Sequence, residues 1–555
     1  SETTDTDSDS VGDNGDNCPA VANTDQTDTD ADGTGDECDA DKDGDTLANE
    51  VDNCPLVANV DQMDSDVNGS GDACDPMPTV YAYDNSAFPE SDSSVSYTGQ
   101  TARQVLIADM AHYMQNILVE DTAVPVEDKV AAMSFFIYGT DADVADTLIG
   151  TYIKDSANVT LKDSATYGDI STGKNLHKKI AGGDGEGGGE TSRLIDGEFF
   201  GWDEGSPTLP IDLVNHWIQK QAELASDGVA TIVVDATGAS SAAHVNVDAH
   251  GRNYRQLMQK FLMGAVNFSQ GTNDYFMTNF IGTNSEGINY VAAQDGTKSY
   301  TYAEHKFDEG FGYYGAARDG MDYTDLEARA KSGRDEYKNG YHDSNGDGMI
   351  DLRSEYFFGH SQNCAKRDAG SASGPNPTDF STEVMIPILA ARQILSNAAN
   401  KANPELTEAE NTKMQEHIHH ASVAWEKCIA ATAVHYVNDV LNDIAEYTNG
   451  APASVGNFEN VAKHWSELKG FALSLQFSPT SPFRDEAVTA VDLDDLKMVL
   501  SLIGDAPVLA DGSQNGVPAS GSAEDAVYAY AGKLVKARSI MQDAYGFSDH
   551  NTVTW

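Results

Sequence analysis

From Thr101 onward the apolar positions fall at helical spacing. Val105, Leu106, Ala108, Met110, Tyr113 and Ile117 recur three and four residues apart, which places them on one face of a helix. The same spacing returns in Arg252–Asn267 (Leu257, Phe261, Leu262, Ala265) and in Phe380–Ala399 (Met385, Ile388, Leu389, Ile394). It also predicts helices over Asn457–Phe477 and Ala523–Tyr545, with a short one over Asp492–Ile503. Thr407–Tyr447 carries two stripes, Ile418–Trp425–Thr432 and Ala421–Cys428–His435. Each repeats every seven residues, as expected of one or two helices packed on their neighbours. Thr231–Asp235 is the one convincing strand. Residues 173–192 are glycine-rich but lack the Gly-Lys-Ser/Thr ending of a phosphate cradle and read as a flexible loop. The pattern therefore predicts a mainly all-α helical bundle over 101–555, with 76–100 as a linker and entry segment set off by Pro76 and Pro78.

Before residue 76 the hydrophobic pattern disappears. Val11, Val21, Leu47, Val51, Leu56, Val57 and Val60 are scattered, so residues 1–75 have almost no core of their own. Aspartates at fixed spacing take its place. Four loops of twelve residues carry side-chain oxygens at positions 1, 3, 5, 9 and 12. The first is Asp5, Asp7, Asp9, Asp13, Asp16; 36 residues later it returns as Asp41, Asp43, Asp45, Asn49, Asp52. The second type is Asp28, Asp30, Asp32, Asp36, Asp39, and its copy is Asp64, Asp66, Asn68, Asp72, Asp75. A hard cation takes six to eight oxygens, and alternating acids on such a loop wrap them round one calcium ion. Position 6 needs a sharp turn, which Gly33 and Gly69 supply; Ser10 and Thr46 stand there in the other two loops and predict looser sites. Position 12 carries Asp rather than Glu, so its bidentate reach is in question. Magnesium, which keeps more of its waters, fits less well. A disordered acidic tail is the competing reading, and the 36-residue period with its identically placed cysteines argues against it. The segment is expected to unfold when stripped of calcium.

A fifth loop lies inside the helical region at 343–354. Asp343, Asn345, Asp347, Gly348, Met349 at position 7, the apolar Ile350 at position 8 and Asp351 match an EF-hand-like loop through position 9. Ser354 stands at position 12 and Glu355 follows one place late, so either the site is weakened or Glu355 reaches it by a shifted turn. The expectation is four to five calcium ions.

The six cysteines and a net charge of −55 narrow the setting. Cys18–Cys38 and Cys54–Cys74 each bracket one Asn-x-Asp-Gln turn and are paired on that ground, although four cysteines allow three pairings. Cys364 and Cys428 are either a third bridge or two buried thiols. More than half of the negative charge lies outside the repeats. Such a surface disfavours nucleic acid and anionic membrane as partners. No apolar run reaches membrane-spanning length. Calcium loops with disulfides indicate an oxidising exterior, either secreted or at the outer cell surface. A chain starting at Ser1 suggests that a signal has been removed, and its acidic start suits a segment following a lipid anchor.

Asp-Asn-Cys-Pro, Asn-x-Asp-Gln (Asn23 to Gln26, Asn59 to Gln62) and Gly-Asp-x-Cys-Asp (Gly35 to Asp39, Gly71 to Asp75) resemble thrombospondin type 3 repeats over about 5–75. The resemblance implies an irregular rod wrapped around calcium, acting as an extracellular stalk. Further on, Tyr97–Arg103, Gln256–Ala265, Glu304–Tyr313, Ala433–Tyr436 and His464-x-x-Glu467 resemble an uncharacterised domain-of-unknown-function family of bacterial surface lipoproteins, over about 80–510. That family is in turn distantly similar to imelysin. The imelysin likeness implies a helical envelope protein with a His-x-x-Glu motif linked to iron or zinc capture.

Two His-x-x-acid pairs are therefore candidates for a second metal site: His305 with Asp308, and His464 with Glu467. Three residues apart on a helix, such a pair shares a face, and Glu304, Glu309 and His435 are available to complete it. The competing reading has these groups capping helices and bonding each other inside the bundle, with Gly310–Gly315 as a tight helix crossing. No His-Glu-x-x-His or Gly-x-Ser-x-Gly motif occurs, so a peptidase is unsupported and no catalytic residue is assigned. His417, His419 and His420 read as solvated surface. The sequence thus points to a calcium-binding surface protein with a structural, adhesive or ligand-presenting role, and secondarily to metal capture.

Overall fold

A computed structural model describes residues 4–120, 123–139, 159–182, 194–226, 228–276, 281–484 and 491–555. Among these residues the body is built from fourteen α-helices. They are α1 (Thr98–His112), α2 (Val126–Tyr138), α3 (Tyr167–Ile170), α4 (Pro210–Leu224), α5 (Tyr254–Leu262), α6 (Tyr302–Tyr314) and α7 (Asp325–Ala328). There follow α8 (Gly359–Ser371), α9 (Phe380–Ala399), α10 (Glu408–Ala445), α11 (Val455–Ser474), α12 (Leu493–Ile503), α13 (Ala523–Tyr545) and α14 (Asp549–Thr554). A small antiparallel pair, β1 (Ile232–Val234) and β2 (Ser240–Ala242), sits where the sequence predicts a strand, with Val233 opposite Ser241.

Helix α10 is the spine. The two predicted stripes lie on one unbroken helix of 38 residues. It starts at a capping box in which Thr407 and Glu410 satisfy each other's first-turn N–H groups. Helices α9 and α11 pack along it, and α8, α13 and α14 also lie against it. Trp425 from α10 and Trp465 from α11 are wholly buried there. One continuous core then runs from Tyr81 to Trp555, with a second small cluster where Val233, Ala243 and Val247 meet Phe458 and Ala462.

Three features depart from the sequence reading. Helix α5 continues beyond Leu262 as wider π-helical turns over Met263–Phe268 and Gln270–Tyr275. The segment from Tyr81 to Tyr97 is structural rather than a linker: Tyr81 is fully buried, and the Tyr83 hydroxyl donates to the Leu389 carbonyl at 2.9 Å. The glycine-rich stretch is packed in its first part, where Ala181 N donates to the Ala265 carbonyl at 2.7 Å. Residues 183–192 of that stretch lie outside the described residues. Gly310 and Gly312 do mark a tight crossing, since a Cβ on Gly312 would fall 2.7 Å from Tyr97 and one on Gly310 would strike Phe276.

All six cysteines are paired, as Cys18–Cys38, Cys54–Cys74 and Cys364–Cys428. Among the described residues no helix is long and apolar enough to cross a membrane.

Candidate functional site

The aspartate loops are built alike. Positions 4 and 6 both take left-handed backbone: Ser8 and Ser10, Ala31 and Gly33, Gly44 and Thr46, Val67 and Gly69, and Gly346 and Gly348 in the fifth loop. Ser10 and Thr46 hold this turn with φ of 83° and 81°, against 100° and 95° for Gly33 and Gly69, so the same turn forms without glycine, in a backbone region that is strained for a side chain. The position 1 carboxylate secures the turn by accepting from the position 6 N–H: Ser10 to Asp5 at 3.2 Å, Gly33 to Asp28 at 3.1 Å, Thr46 to Asp41 at 3.0 Å and Gly69 to Asp64 at 3.0 Å.

Position 9 has a different job from the one its spacing suggests. Asp13 accepts from both the N–H and hydroxyl of Thr6, Asp36 from those of Thr29 and Asp72 from those of Ser65. Asn49 accepts from Lys42 N. These residues clamp the loop on position 2, which leaves the water-mediated role that position 9 commonly has. Position 12 is divided. Asp16 Oδ1 accepts from Cys18 N at 2.8 Å and Gln26 Nε2 at 2.9 Å, tying the loop to the Asn-x-Asp-Gln turn and leaving Oδ2 for the loop interior. Asp52 repeats this with Cys54 and Gln62.

The donor set fits a hard cation. Asp5, Asp7 and Asp9 bring carboxylate oxygens within 4.8 Å of one another, as do Asp28, Asp30, Asp32 and Asp41, Asp43, Asp45. Six buried oxygens in these loops have no hydrogen-bond donor: Asp7 Oδ2, Asp16 Oδ2, Asp28 Oδ1, Asp39 Oδ2, Asp41 Oδ1 and Asp43 Oδ2. Buried acceptors without partners are rare, and here they converge where a divalent ion would satisfy them. Burial, together with neighbouring carboxylates, pushes the Asp7 and Asp43 carboxyls above their ordinary value.

The fourth loop is different because it docks on the body. Asp66 Oδ2 accepts from Asn397 Nδ2 of α9 at 2.7 Å and from Asn68 Nδ2 at 3.0 Å, while Asn68 also donates to Asp75 Oδ2 at 2.7 Å. His417 Nε2 of α10 lies 2.8 Å from the Ser65 carbonyl. His417 is thus an interface residue rather than free surface, whereas His419 and His420 are exposed. Burial, eased by the Asn397 hydrogen bond and reinforced by Asp64, pushes Asp66 up to about 6.

In the fifth loop Ile350 pairs with Leu161, and Lys162 Nζ lies 2.7 Å from Asp347 Oδ2. Glu355 does not reach inward as a late position 12. Its Oε1 accepts from Ser344 N and Oγ at 2.9 and 2.7 Å, and its Oε2 from Asp351 N at 2.9 Å. It takes over the clamp that position 9 provides elsewhere, because Asp351 is turned to Arg353 at 2.7 Å.

The two His-x-x-acid pairs do not each share an ion-sized space. His305 stacks on Tyr300 and faces Asp295 at 3.7 Å and Glu309 at 3.9 Å. Glu309 itself pairs with Lys306 at 2.6 Å. Asp308 points the other way, into a fully buried network: Arg392 Nε at 2.9 Å, the Tyr81 hydroxyl at 2.7 Å and Ser96 N at 3.0 Å. Glu304 joins that network opposite Arg392 at 3.3 Å and accepts from Asn85. His464 Nδ1 donates to Asp443 Oδ2 (2.7 Å), and the ring lies 3.8 Å from Asp439, which His435 approaches at 3.3 Å. Glu467 turns instead to Lys260 at 3.7 Å. Asp439, Asp443 and Arg392 carry no motif of their own; Asp439 and His435 show only the four-residue spacing of a helical pair. Burial, with Arg367 nearby, holds His435 down to about 3 and so neutral. Among the described residues, the aspartate loops alone bring three ligand atoms within 4.8 Å of one another.

Comparison with known families agrees with this division of the chain. Residues 3–26 and 27–62 match the thrombospondin type 3 repeat, and residues 80–327 match a domain of unknown function, DUF4856. The second match is shorter than the span of about 80–510 expected from the motifs, although the same core continues to Trp555. No curated protein matches the chain. The three-carboxylate loops and the bridged repeat turns account for the first match, and the helices entered by Tyr81 begin the second: thrombospondin type 3 repeats, a calcium-binding module, stand at the N-terminus and are followed by a DUF4856 domain over residues 80–327.

Proposed function

We propose that this is a secreted or surface-tethered bacterial protein in which bound calcium stiffens the N-terminal repeats into a stalk that presents the helical domain. Its role is structural, adhesive or ligand-presenting. The observation that carries the reading is the set of six partnerless buried carboxylate oxygens in the first three loops. Three disulfides and the repeats are those of an extracellular protein. The fourth loop, docked through Asn397 and His417, gives the stalk a fixed base. Four to five ions per chain follow if the fourth and fifth loops also fill.

Elemental analysis of natively purified protein, with circular dichroism before and after mild chelation, tests this. The expected result is at least one calcium for each of the three carboxylate clusters, with loss of protease resistance in the repeats on chelation while the helical signal survives. Fewer ions than clusters would sink the proposal. A second reading, capture of iron or zinc, draws on the grouping of His435, Asp439, Asp443 and His464. It requires stoichiometric transition metal in the same analysis, lost in His464→Ala.

A further inference from the structure

In a chain of net charge −55, one cavity in the body is lined by cations. It measures about 270 Å³ and opens between α5, α8 and the Tyr356–Gly359 stretch. Arg255 and Lys260 reach it from α5, and Lys366 and Asn363 from α8, with Met263 and Phe358 as apolar walls. Glu467 faces this group, 3.7 Å from Lys260. Three cations thus meet one acid.

Lys260 Nζ donates to Gln259 Oε1 at 3.0 Å, but the donors beside it are not otherwise used. Among the described residues Arg255 and Lys366 make no hydrogen bond or ion pair, and Arg255 Nε is buried without a partner. Asn363 is 7% exposed, and its Nδ2 has no acceptor. Buried donors are ordinarily satisfied, and the Arg255 guanidinium, the Lys366 ammonium and the Asn363 amide around one space are a donor set with the acceptor missing. Packing alone does not explain it, because cations gathered in a half-buried pocket repel one another. Burial, with Arg255 and Lys366 acting against Glu467, pushes the Lys260 ammonium down to about 7, and burial with Arg367 pushes Lys366 down to about 8.

We infer that this cavity is a binding site for a compact anionic small molecule bearing a carboxylate or phosphate group, held by Arg255, Lys260, Lys366 and Asn363. The planar guanidinium supplies paired donors to an oxyanion, the lysines supply charge, and Asn363 fixes orientation. The cavity is smaller than a typical drug-sized site, which limits the ligand to a few heavy atoms beyond its anionic group.

Calorimetry on the calcium-loaded full chain tests the site with two probes: acetate for the carboxylate class, and inorganic sulfate standing in for a phosphate group because calcium phosphate precipitates. Saturable millimolar binding of one probe, weakened about tenfold or more in both Arg255→Met and Lys366→Met, is expected. The probe that binds identifies the class. Asn363→Asp, which places a negative charge among the donors without changing side-chain size, should abolish binding while the thermal transition is kept, and it decides the matter if either Met variant fails to fold. Absence of millimolar binding by both probes, or binding that is equal in wild type and Asn363→Asp, overturns the inference.

Discussion

Asn397 Nδ2 of α9 stands 2.7 Å from Asp66 Oδ2, a hydrogen bond that joins the helical body to a carboxylate of the fourth calcium loop. With the contact between His417 and the Ser65 carbonyl, it fixes where the repeats end and the body begins. An amide donating to a carboxylate is among the stronger neutral–charged hydrogen bonds, worth about 1.5–3 kcal/mol. In Asn397→Ala, residues 64–75 should exchange their amide hydrogens about tenfold faster in calcium, while α9 to α11 exchange as before. Unchanged exchange in 64–75 would show that the loop is held from the stalk side alone.

Thr46 keeps a glycine conformation, φ 81°, at position 6 of the third loop. A β-branched residue there costs on the order of 1–2 kcal/mol of backbone strain. Thr46→Gly should relieve part of it and raise the calcium affinity of that loop several-fold, measured by titration against a chromophoric chelator. The same change at the next residue, Leu47→Gly, should bring no gain.

Glu426 lies fully buried on α10, accepting from the Ser481 hydroxyl at 2.6 Å and the Tyr545 hydroxyl at 2.7 Å. Burial, only partly offset by those donors, pushes its carboxyl up to about 7. A folded value above the ordinary 4.5 means that the fold favours the protonated acid. The stabilisation is complete below the ordinary value and is lost as pH rises through about 7. Glu426→Gln should therefore melt higher than wild type at pH 8 by up to about 3 kcal/mol, and near wild type at pH 4. Thermal scans at both pH values check this, and an equal difference at each would refute it.

Arg392 is wholly buried between Asp308 and Glu304, and its guanidinium lies 4.6 Å from the Tyr83 ring centre. Removing it strands two carboxylates in the core. Arg392→Met should cost about 3–5 kcal/mol in denaturant unfolding of the body. The triple change with Asp308→Asn and Glu304→Gln should recover much of that loss, because the stranded charges leave together.

Local chemistry was legible in the sequence, and long-range chemistry was not. Phe380–Ala399 and Ala523–Tyr545 are helices to the residue because their periodic faces are long and uninterrupted. The ligands at positions 1, 3 and 5 follow from spacing alone, since a loop folds on itself. The clamp made by Thr6 and Asp13 was hidden, as position 2 has no fixed chemistry to search for: it is Thr, Thr, Lys, Ser and Ser in the five loops. Tyr81 and Asp308 meet across more than two hundred residues, so neither a buried entry segment nor a diverted Asp308 was visible. Spacing of 3.6 could not announce the wider turns after Leu262, where a Cβ on Gly264 would collide with Ser474. Arg255, Lys260 and Lys366 look like ordinary surface cations until two helices bring them to one cavity.

Helix α10, unbroken for 38 residues, is a shaft about 57 Å long with fittings at three stations. His417 meets the stalk near one end, Cys428 is bonded to α8 in the middle, and Asp439 and Asp443 meet His464 near the other. A shaft fixes angle as well as distance. One residue inserted between Cys428 and His435 would turn the last station by about 100° relative to the first two. Length can vary in the loops around this helix at little cost, but the phase between the calcium stalk and the histidine cluster is set by a residue count, and no side-chain substitution can restore it once that count changes.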